Sequence, residues 1–313
     1  MPGLSAGQKF NIAVPASIAN LGPGFDVLAV AVQLYLRLDV TVVEGFNRLQ
    51  FNFIGCQLRG ENYIERAFRF LLRQNPTQFP SMRIDVRADI PMSSGLGSSA
   101  AATVAGLRLY ALVVQALPMQ AMLNAATTLE GHPDNAAAAL LGGLAVSCAL
   151  PDGSVYAGTY PWPEEVEFIV VTPSVPLPTK AARKVVPHTF SRTDVVFNLQ
   201  RVALLFQSLQ SRNYQLLRQA LADKLHQPYR KALVPGLEDV LHLEHEDLLG
   251  ACLSGAGPSV AVLCCKNQDA IVELLKQIYT PLNVGFVIRR LKVHSLQEQS
   301  GLETGQALPV LPS

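Results

Sequence analysis

The sequence contains little charge and no concentration of charge of either sign. Only 16% of its 313 residues are charged, and the formal net charge at pH 7 is +1. A surface that binds nucleic acid or anionic lipid needs a cluster of basic residues. We therefore expect no nucleic acid and no membrane as a partner, and a small molecule as the ligand.

Cysteine is scarce, and its spacing fits neither a metal cluster nor a disulfide framework. The five cysteines are an odd number without paired metal-ligand spacing, which favours reduced, mostly buried thiols. They are Cys56, Cys148, Cys252, Cys264 and Cys265. The N-terminus also lacks the charged start and apolar run of a secretory signal, so we expect a cytoplasmic protein.

Long apolar runs are also missing, apart from residues 100–117. This stretch approaches the length of a membrane span, but it is largely alanine and has Arg108 in its middle. It predicts a buried core helix. The chain as a whole is longer than a single core usually grows, so we expect two domains, joined near the proline-containing segment 160–165.

The most informative stretch is residues 91–101, Pro-Met-Ser-Ser-Gly-Leu-Gly-Ser-Ser-Ala-Ala. A predicted strand precedes it and a predicted helix follows. Gly95 and Gly97 tolerate positive φ, and a helix N-terminus directs unpaired N–H groups toward an anion. Ser98 and Ser99 can offer hydroxyls to a phosphate oxygen or a magnesium ion. The alternative is an N-capped helix after a flexible loop.

Two further loops concentrate polar groups between apolar segments. Residues 16–26 carry Asn20 and Asp26, and residues 130–135 read Glu-Gly-His-Pro-Asp-Asn. Loops held between rigid elements often bind ligands. The alternatives are a turn in which Asn20 and Asp26 bond their own backbone, and an exposed interhelical turn capped by Asp134 or Asn135.

The C-terminal half has weaker signals. The glycine loop 252–259 precedes a strand, so it directs no helix dipole at an anion and predicts a tight turn near the other loops. Arg183 and Arg230, as isolated arginines, are typical of a solvated surface. We leave the polar tail after residue 294 unassigned.

Hydrophobic periodicity predicts the main elements. Strands are expected over 10–15, 36–43, 82–88, 166–172, 260–265 and 284–293, and helices over 62–74, 100–116, 118–130, 192–210, 214–221, 235–244 and 270–279. We expect 51–54 to pair with 36–43, and 173–187 to be irregular.

Three separated motifs resemble those of the GHMP kinases. Residues 91–101 are similar to the phosphate loop of that superfamily, 16–26 to its N-terminal motif and 253–259 to its C-terminal glycine motif. Ala-x-x-Ala-Asn-Leu-Gly-Pro-Gly-Phe-Asp at 16–26, Glu-Gly-His-Pro-Asp-Asn at 130–135 and Thr-x-x-Ala-Arg at 179–183 resemble the homoserine kinases in particular. The matches run from about residue 11 to residue 265. One departure is the run Ala136–Ala139, where relatives commonly have Val and Pro, and it concerns helix packing rather than chemistry.

The resemblance implies an α+β protein with the two-domain GHMP kinase fold. Residues 1–163 would form an N-terminal ATP-binding domain of mixed β/α structure, 164–299 a ferredoxin-like C-terminal domain and 300–313 a tail. ATP and homoserine would lie in the cleft between the domains.

The resemblance also implies roles for individual residues. Asn62 would contact adenine, and Ser99 and Glu130 would bind Mg²⁺. Asp26 would pair with the homoserine ammonium, and Asn20 and Asn135 would orient the substrate. Arg183 and Arg230 would hold its carboxylate. The residues that would bind the nucleotide, with 94–99 wrapped around its phosphates, are Pro91, Ser93, Ser94, Gly95, Leu96, Gly97, Ser98 and Ser99.

Catalysis would depend mainly on positioning and charge neutralisation. Ser99 and Asn135 would contribute to it, with Asp134 as the candidate base and His132 in a structural role.

The implied activity is ATP-dependent phosphorylation of the L-homoserine hydroxyl to O-phospho-L-homoserine, which serves threonine biosynthesis. Two alternatives stay open: a GHMP kinase that acts on another small alcohol, and a non-catalytic ligand-binding relative. The second predicts a broken phosphate loop or missing magnesium ligands, and the sequence shows neither. A homodimer is left open as the oligomeric state.

Overall fold

A computed structural model describes residues 4–55 and 60–295. The strands within these residues are β1 (Lys9–Ala19), β2 (Leu28–Phe46), β3 (Leu49–Ile54), β4 (Pro80–Ala88), β5 (Leu144–Ala149), β6 (Val155–Tyr160), β7 (Glu167–Pro173), β8 (Leu248–Leu253), β9 (Val260–Cys264) and β10 (Phe286–Leu291). The α-helices are α1 (Tyr63–Gln74), α2 (Ser98–Val113), α3 (Met119–Glu130), α4 (Asp134–Leu141), α5 (Thr179–Lys184), α6 (Arg192–Ser211), α7 (Leu217–Ala220), α8 (Gln227–Arg230), α9 (Leu237–Leu241) and α10 (Gln268–Tyr279).

The N-terminal half is built on a six-stranded sheet. Its order is β3-β4-β2-β5-β6, and β1 pairs with β2. The β3–β4 pair is parallel, and the other pairs described for this sheet are antiparallel. Helices α2 and α4 pack on β1, and most residues of both helices are buried, as predicted for 100–117. Two rows of alanines, in α2 and in α4, allow this close helix–sheet packing.

The C-terminal half has a four-stranded antiparallel sheet with the order β10-β7-β9-β8. Helix α6 lies between β7 and β8 in the chain, and α10 lies between β9 and β10. This βαββαβ arrangement is ferredoxin-like, so the predicted fold class is confirmed.

The structure corrects four expectations. β3 pairs with β4 and not with β2, because the chain crosses over through α1 and returns parallel to β3. The stretch 173–187 is not wholly irregular, since α5 forms after Pro178. Strands β5, β6 and β8 were not predicted; β5 and β6 flank the Pro-Asp-Gly turn at 151–153. Helix 235–244 shortens to α9, because Gly236 has a φ of +72°.

One of the two buried hydrophobic clusters of the described residues extends across both halves, and the other lies in the C-terminal half. Phe168 of β7, Leu205 of α6 and Cys252 of β8 belong to the same buried cluster as β1 and β2. The predicted boundary at 163/164 falls in the connection between β6 and β7 and stays a prediction. Cys56 and the predicted tail 300–313 lie outside the described residues.

The other cysteines are unpaired thiols: Cys148, Cys252, Cys264 and Cys265. Within the described part of the chain, no helix combines the length and the apolar character needed to cross a bilayer.

Candidate active site

A cleft of about 670 Å³ brings the predicted site residues together. The phosphate loop and α1 line one end, and the loop 20–26, α5 and Arg230 line the other. Of the predicted residues, Leu96 is the exception. The whole residue is buried in the hydrophobic core and its carbonyl oxygen accepts from the N–H of Ser17 at 3.2 Å, so Leu96 does not line the cleft.

The phosphate loop is held by backbone contacts that require its glycines. Gly95 has a φ of +82°, and a Cβ there would lie 2.4 Å from the carbonyl oxygen of Ser254. Gly97 has a φ of +70°, and its Cβ would lie 2.2 Å from Ser17 Oγ. Both positions therefore exclude a side chain by conformation and by space.

The glycine loop 252–259 clamps the phosphate loop from behind. Ser254 Oγ donates to the Gly95 carbonyl at 2.7 Å, and the N–H of Ser259 donates to the Ser94 carbonyl at 3.0 Å. This is the tight turn expected beside the other loops. Ser94 is buried, and its hydroxyl donates to the Pro91 carbonyl at 2.8 Å, so its hydroxyl hydrogen is not directed at the cleft.

The N-terminus of α2 faces the cleft directly after this loop. Ser98 and Ser99 are its first two residues, and both line the cleft. The first N–H groups of a 16-residue helix have no intrahelical partner and carry its positive dipole end. The loop and helix end together can bind an anion.

Glu130 lies next to Ser99 and receives two hydroxyl hydrogen bonds. Ser99 Oγ donates to Glu130 Oε2 at 2.7 Å, and Thr103 Oγ1 donates to Glu130 Oε1 at 2.6 Å. A hydroxyl and a carboxylate in contact are the hard oxygen donors that Mg²⁺ prefers, so the pair fits this ion. We did not predict Thr103, although it lies one helical turn after Ser99 on the same face.

Asp134 is buried and accepts several hydrogen bonds through one oxygen. His132 Nδ1 lies 2.7 Å from Asp134 Oδ1, and the backbone N–H and side-chain amide of Asn135 donate to the same atom at 2.7 and 3.1 Å. Asn135 Oδ1 accepts from Ser17 Oγ at 2.7 Å. Among the described residues, no donor contacts Asp134 Oδ2.

His132 is part of this acidic corner. Burial lowers its pKa, but the hydrogen bond and charge of Asp134 outweigh burial, so the net pKa lies above the ordinary value. Asp26, His132 and Asp134 each present an atom within 4.8 Å of the other two. The histidine that we assigned a structural role therefore faces the predicted ammonium site.

Asp26 and Arg183 form a bidentate ion pair in the cleft. Arg183 Nη1 lies 2.9 Å from Asp26 Oδ2, and Nη2 lies 2.6 Å from Oδ1. This contact raises the pKa of Arg183. Asn20 braces the same loop: its Oδ1 accepts from the N–H of Asp26 at 3.1 Å, and its Nδ2 donates to the Gly255 carbonyl at 3.0 Å. Asn20 thus makes the local backbone contact considered as the alternative.

Arg230 is not a surface residue. It is only 1% exposed, and burial together with the nearby Arg183 lowers its pKa to about 10. Its recorded hydrogen bonds are to neutral groups, among them the carbonyl of Ala182 at 3.1 Å. A buried cation is costly unless it is paired, so this guanidinium is suited to an anionic ligand.

Asn62 lies at the phosphate-loop end of the cleft and caps α1. Its Oδ1 accepts from the N–H groups of Ile64 and Glu65 at 3.2 and 3.3 Å. Four apolar side chains also line the cleft: Leu36, Phe53, Val86 and Ile90.

Two family models match the chain. The GHMP kinases N terminal domain matches residues 62–143, and the GHMP kinases C terminal domain matches residues 205–282. The fold and the cleft thus define a kinase of the GHMP class, for which ATP is a substrate.

Curated relatives narrow the class. The chain is 38% identical over 274 residues to a homoserine kinase of Solibacter usitatus, covering 86% of this chain and 90% of that protein. It is 39% identical to one of Deinococcus radiodurans, covering 84% and 86%. The chain belongs to the homoserine kinase family. A crystal structure of homoserine kinase from Cytophaga hutchinsonii shares its fold, with a TM-score of 0.81, 24% identity and coverage of 94% and 97%.

Proposed function

We propose that the protein transfers the γ-phosphoryl group of ATP to the hydroxyl of L-homoserine and forms O-phospho-L-homoserine for threonine synthesis. The carrying observation is a cleft with a phosphate loop at one end and a set of opposed charges at the other. Homoserine is a zwitterion with a hydroxyl, so a selective site needs an anion, cations and a group that orients the hydroxyl.

The nucleotide would lie along the phosphate loop, with its phosphates on the backbone of 94–99 and its base near Asn62. Ser99 and Glu130 would hold Mg²⁺, which neutralises charge on the phosphates when it is bound. Phosphoryl transfer depends mainly on such neutralisation and on alignment, so the fixed loop geometry is the main catalytic contribution of this end.

The amino acid would bind by replacing the ion pair between Asp26 and Arg183. The ammonium group would take Asp26, and the carboxylate would take Arg183 and Arg230, with charge-assisted hydrogen bonds in place of those broken. Asn20 would support this site by holding Asp26 to Gly255.

Asn135 would orient the hydroxyl, and Asp134 is the base candidate. Three donors already use Asp134 Oδ1, while Oδ2 has no donor among the described residues. A hydroxyl proton could therefore pass to Oδ2 without breaking the contact to His132.

The deciding assay is ADP release from the purified protein with homoserine, mevalonate, shikimate or galactose as acceptor. We expect activity with homoserine. Turnover of any other acceptor without turnover of homoserine would contradict the proposal. A homodimer and a cytoplasmic location stay predictions, to be checked by sedimentation and cell fractionation.

A further inference from the structure

A buried network behind Arg230 begins at the carboxylate of Asp223. This side chain is completely buried and accepts four hydrogen bonds of 2.7–2.9 Å. The donors are Asn198 Nδ2 and the backbone N–H groups of Leu225, His226 and Gln227. These bonds fix the turn that leads into α8, and thereby the backbone that carries His226 and Arg230.

The contacts of His226 determine its tautomer. Its Nε2 lies 2.7 Å from the carbonyl oxygen of Gly22, which can only accept. Its Nδ1 lies 3.1 Å from Nη1 of Arg230, and a guanidinium can only donate. Nε2 therefore carries the hydrogen and Nδ1 is the acceptor, so the ring is neutral. Burial lowers the pKa of His226, in agreement with this state.

The guanidinium of Arg230 is held on one side. Nε donates to the Ala182 carbonyl at 3.1 Å, and Nη1 donates both to Gly255 at 3.0 Å and to His226 at 3.1 Å. Among the described residues, Nη2 has no hydrogen-bond acceptor, and Arg230 lines the cleft. Because Nε and Nη1 are bonded to the protein, Nη2 is the nitrogen that a ligand can contact.

Phe25 connects the same histidine to the loop that carries Asp26. The Phe25 and His226 rings stack with centroids 5.2 Å apart and planes 19° apart. The guanidinium carbons of Arg183 and Arg230 lie 5.6 and 5.3 Å from the Phe25 centroid. The position of His226 therefore affects both arginines.

We propose that His226 is a positioning residue for the substrate carboxylate: its neutral Nδ1 accepts from Nη1 of Arg230 and thereby directs Nη2 into the cleft. The inference rests on the proposed role of Arg230 in homoserine binding. Without His226 Nδ1, the guanidinium keeps only its hydrogen bonds to the carbonyls of Gly255 and Ala182 and can change its orientation.

Two amide variants separate this role from a structural one. In His226→Gln, the amide N–H can still reach the Gly22 carbonyl, but no acceptor faces Arg230. In His226→Asn, an amide oxygen can take the place of Nδ1, while the bond to Gly22 is lost. We expect His226→Gln to raise the KM for homoserine about tenfold, the loss of about one charge-assisted hydrogen bond, with an unchanged KM for ATP. His226→Asn should keep a KM for homoserine near that of the wild type although its urea midpoint falls.

If KM rises equally in both variants, or in proportion to lost stability, His226 is only structural and the proposal is overturned. If His226→Gln does not fold, the asparagine variant decides alone: a KM for homoserine near that of the wild type despite a lower urea midpoint supports the proposal, and a tenfold rise overturns it.

A substrate analogue tests whether the effect passes through the carboxylate. 3-Aminopropan-1-ol keeps the ammonium and hydroxyl of homoserine and lacks the carboxylate. Its kcat/KM, or its inhibition constant against homoserine, should be the same for wild type and His226→Gln. A tenfold loss with this analogue as well would overturn the proposal.

Arg230→Met distinguishes failure of this inference from failure of its premise. An unchanged KM for homoserine in Arg230→Met would show that Arg230 does not bind the substrate, and the inference about His226 would then fail as well. A raised KM in Arg230→Met combined with an unaffected His226→Gln would remove the role of His226 alone.

Discussion

The two ends of the cleft are held in different ways. At the phosphate end, backbone atoms packed against Gly95 and side-chain oxygens packed against Gly97 fix the loop. At the proposed amino-acid end, side chains from distant segments carry the charges, and Asp26 and Arg183 form an ion pair with each other. A substitution at the phosphate end should therefore lower both stability and activity. A substitution at the amino-acid end should mainly weaken substrate binding.

The largest effect is expected from Gly95→Ala. Its Cβ would overlap the Ser254 carbonyl, and the positive φ adds strain, so we expect a loss of about 3 kcal/mol in the free energy of unfolding and nearly complete loss of activity. Gly153→Ala is the matched control, because Gly153 has a φ of +83° and no atom within 4 Å of its Cβ position. It should cost about 1 kcal/mol through strain alone. Urea unfolding and ADP release measure both. Equal losses would mean that the backbone clamp contributes nothing.

The next largest effect is expected from Glu130→Gln. The amide keeps only one of the two oxygens that accept from Ser99 and Thr103, and it removes the carboxylate charge proposed to bind Mg²⁺, so kcat should fall by about 10²–10³-fold. The control is Glu61→Gln, which makes the same change at an exposed residue of the same cleft and should leave kcat within about twofold. Steady-state rates over a magnesium titration measure this. Similar losses in the two variants would contradict a specific role for Glu130.

Arg183→Leu should affect the other end of the cleft. It removes the bidentate partner of Asp26 and a proposed ligand of the homoserine carboxylate, so the KM for homoserine should rise by about 10²-fold. The KM for ATP should change little, and Arg183→Lys should lie between wild type and leucine. Initial-rate kinetics with each substrate varied would test this. An equal rise in both KM values would place Arg183 elsewhere.

The smallest effect is a pH dependence of stability from His132. Asp134 raises its pKa in the folded protein above the unfolded value, so the protonated form adds stability that is fully present below about pH 6.5 and is lost as pH rises through the folded pKa. The free energy of unfolding of wild type minus that of His132→Gln should therefore shrink as pH rises above about 6.5. Urea unfolding at several pH values tests it, and a difference that grows with pH would reverse the assignment.

The phosphate end was predictable because its determinants are contiguous. Gly95, Gly97 and Ser99 act through local φ angles and a helix start, which a short motif specifies. Thr103 was missed although one helical turn relates it to Ser99, because its hydroxyl donates to Glu130, 27 residues further on.

The amino-acid end was less predictable. Arg230 alone suggested a solvated cation, and its burial depends on Gly255, Ala182 and His226, which no local pattern brings together. Only the family resemblance indicated its role. The short helix α5, which carries Arg183, was likewise hidden in a proline-containing stretch, because propensity alone does not reveal the packing of the buried Ala182.

The ion pair between Asp26 and Arg183 also determines which charges a ligand needs in order to bind in its place. A simple alcohol offers nothing to either charge, and a ligand with a single charge relieves one partner while it leaves the other alone in the cleft. A zwitterion satisfies both at once. In the proposed binding mode, the protein competes with its substrate for these two groups, and hydroxyl compounds that lack either half of an amino acid should bind weakly.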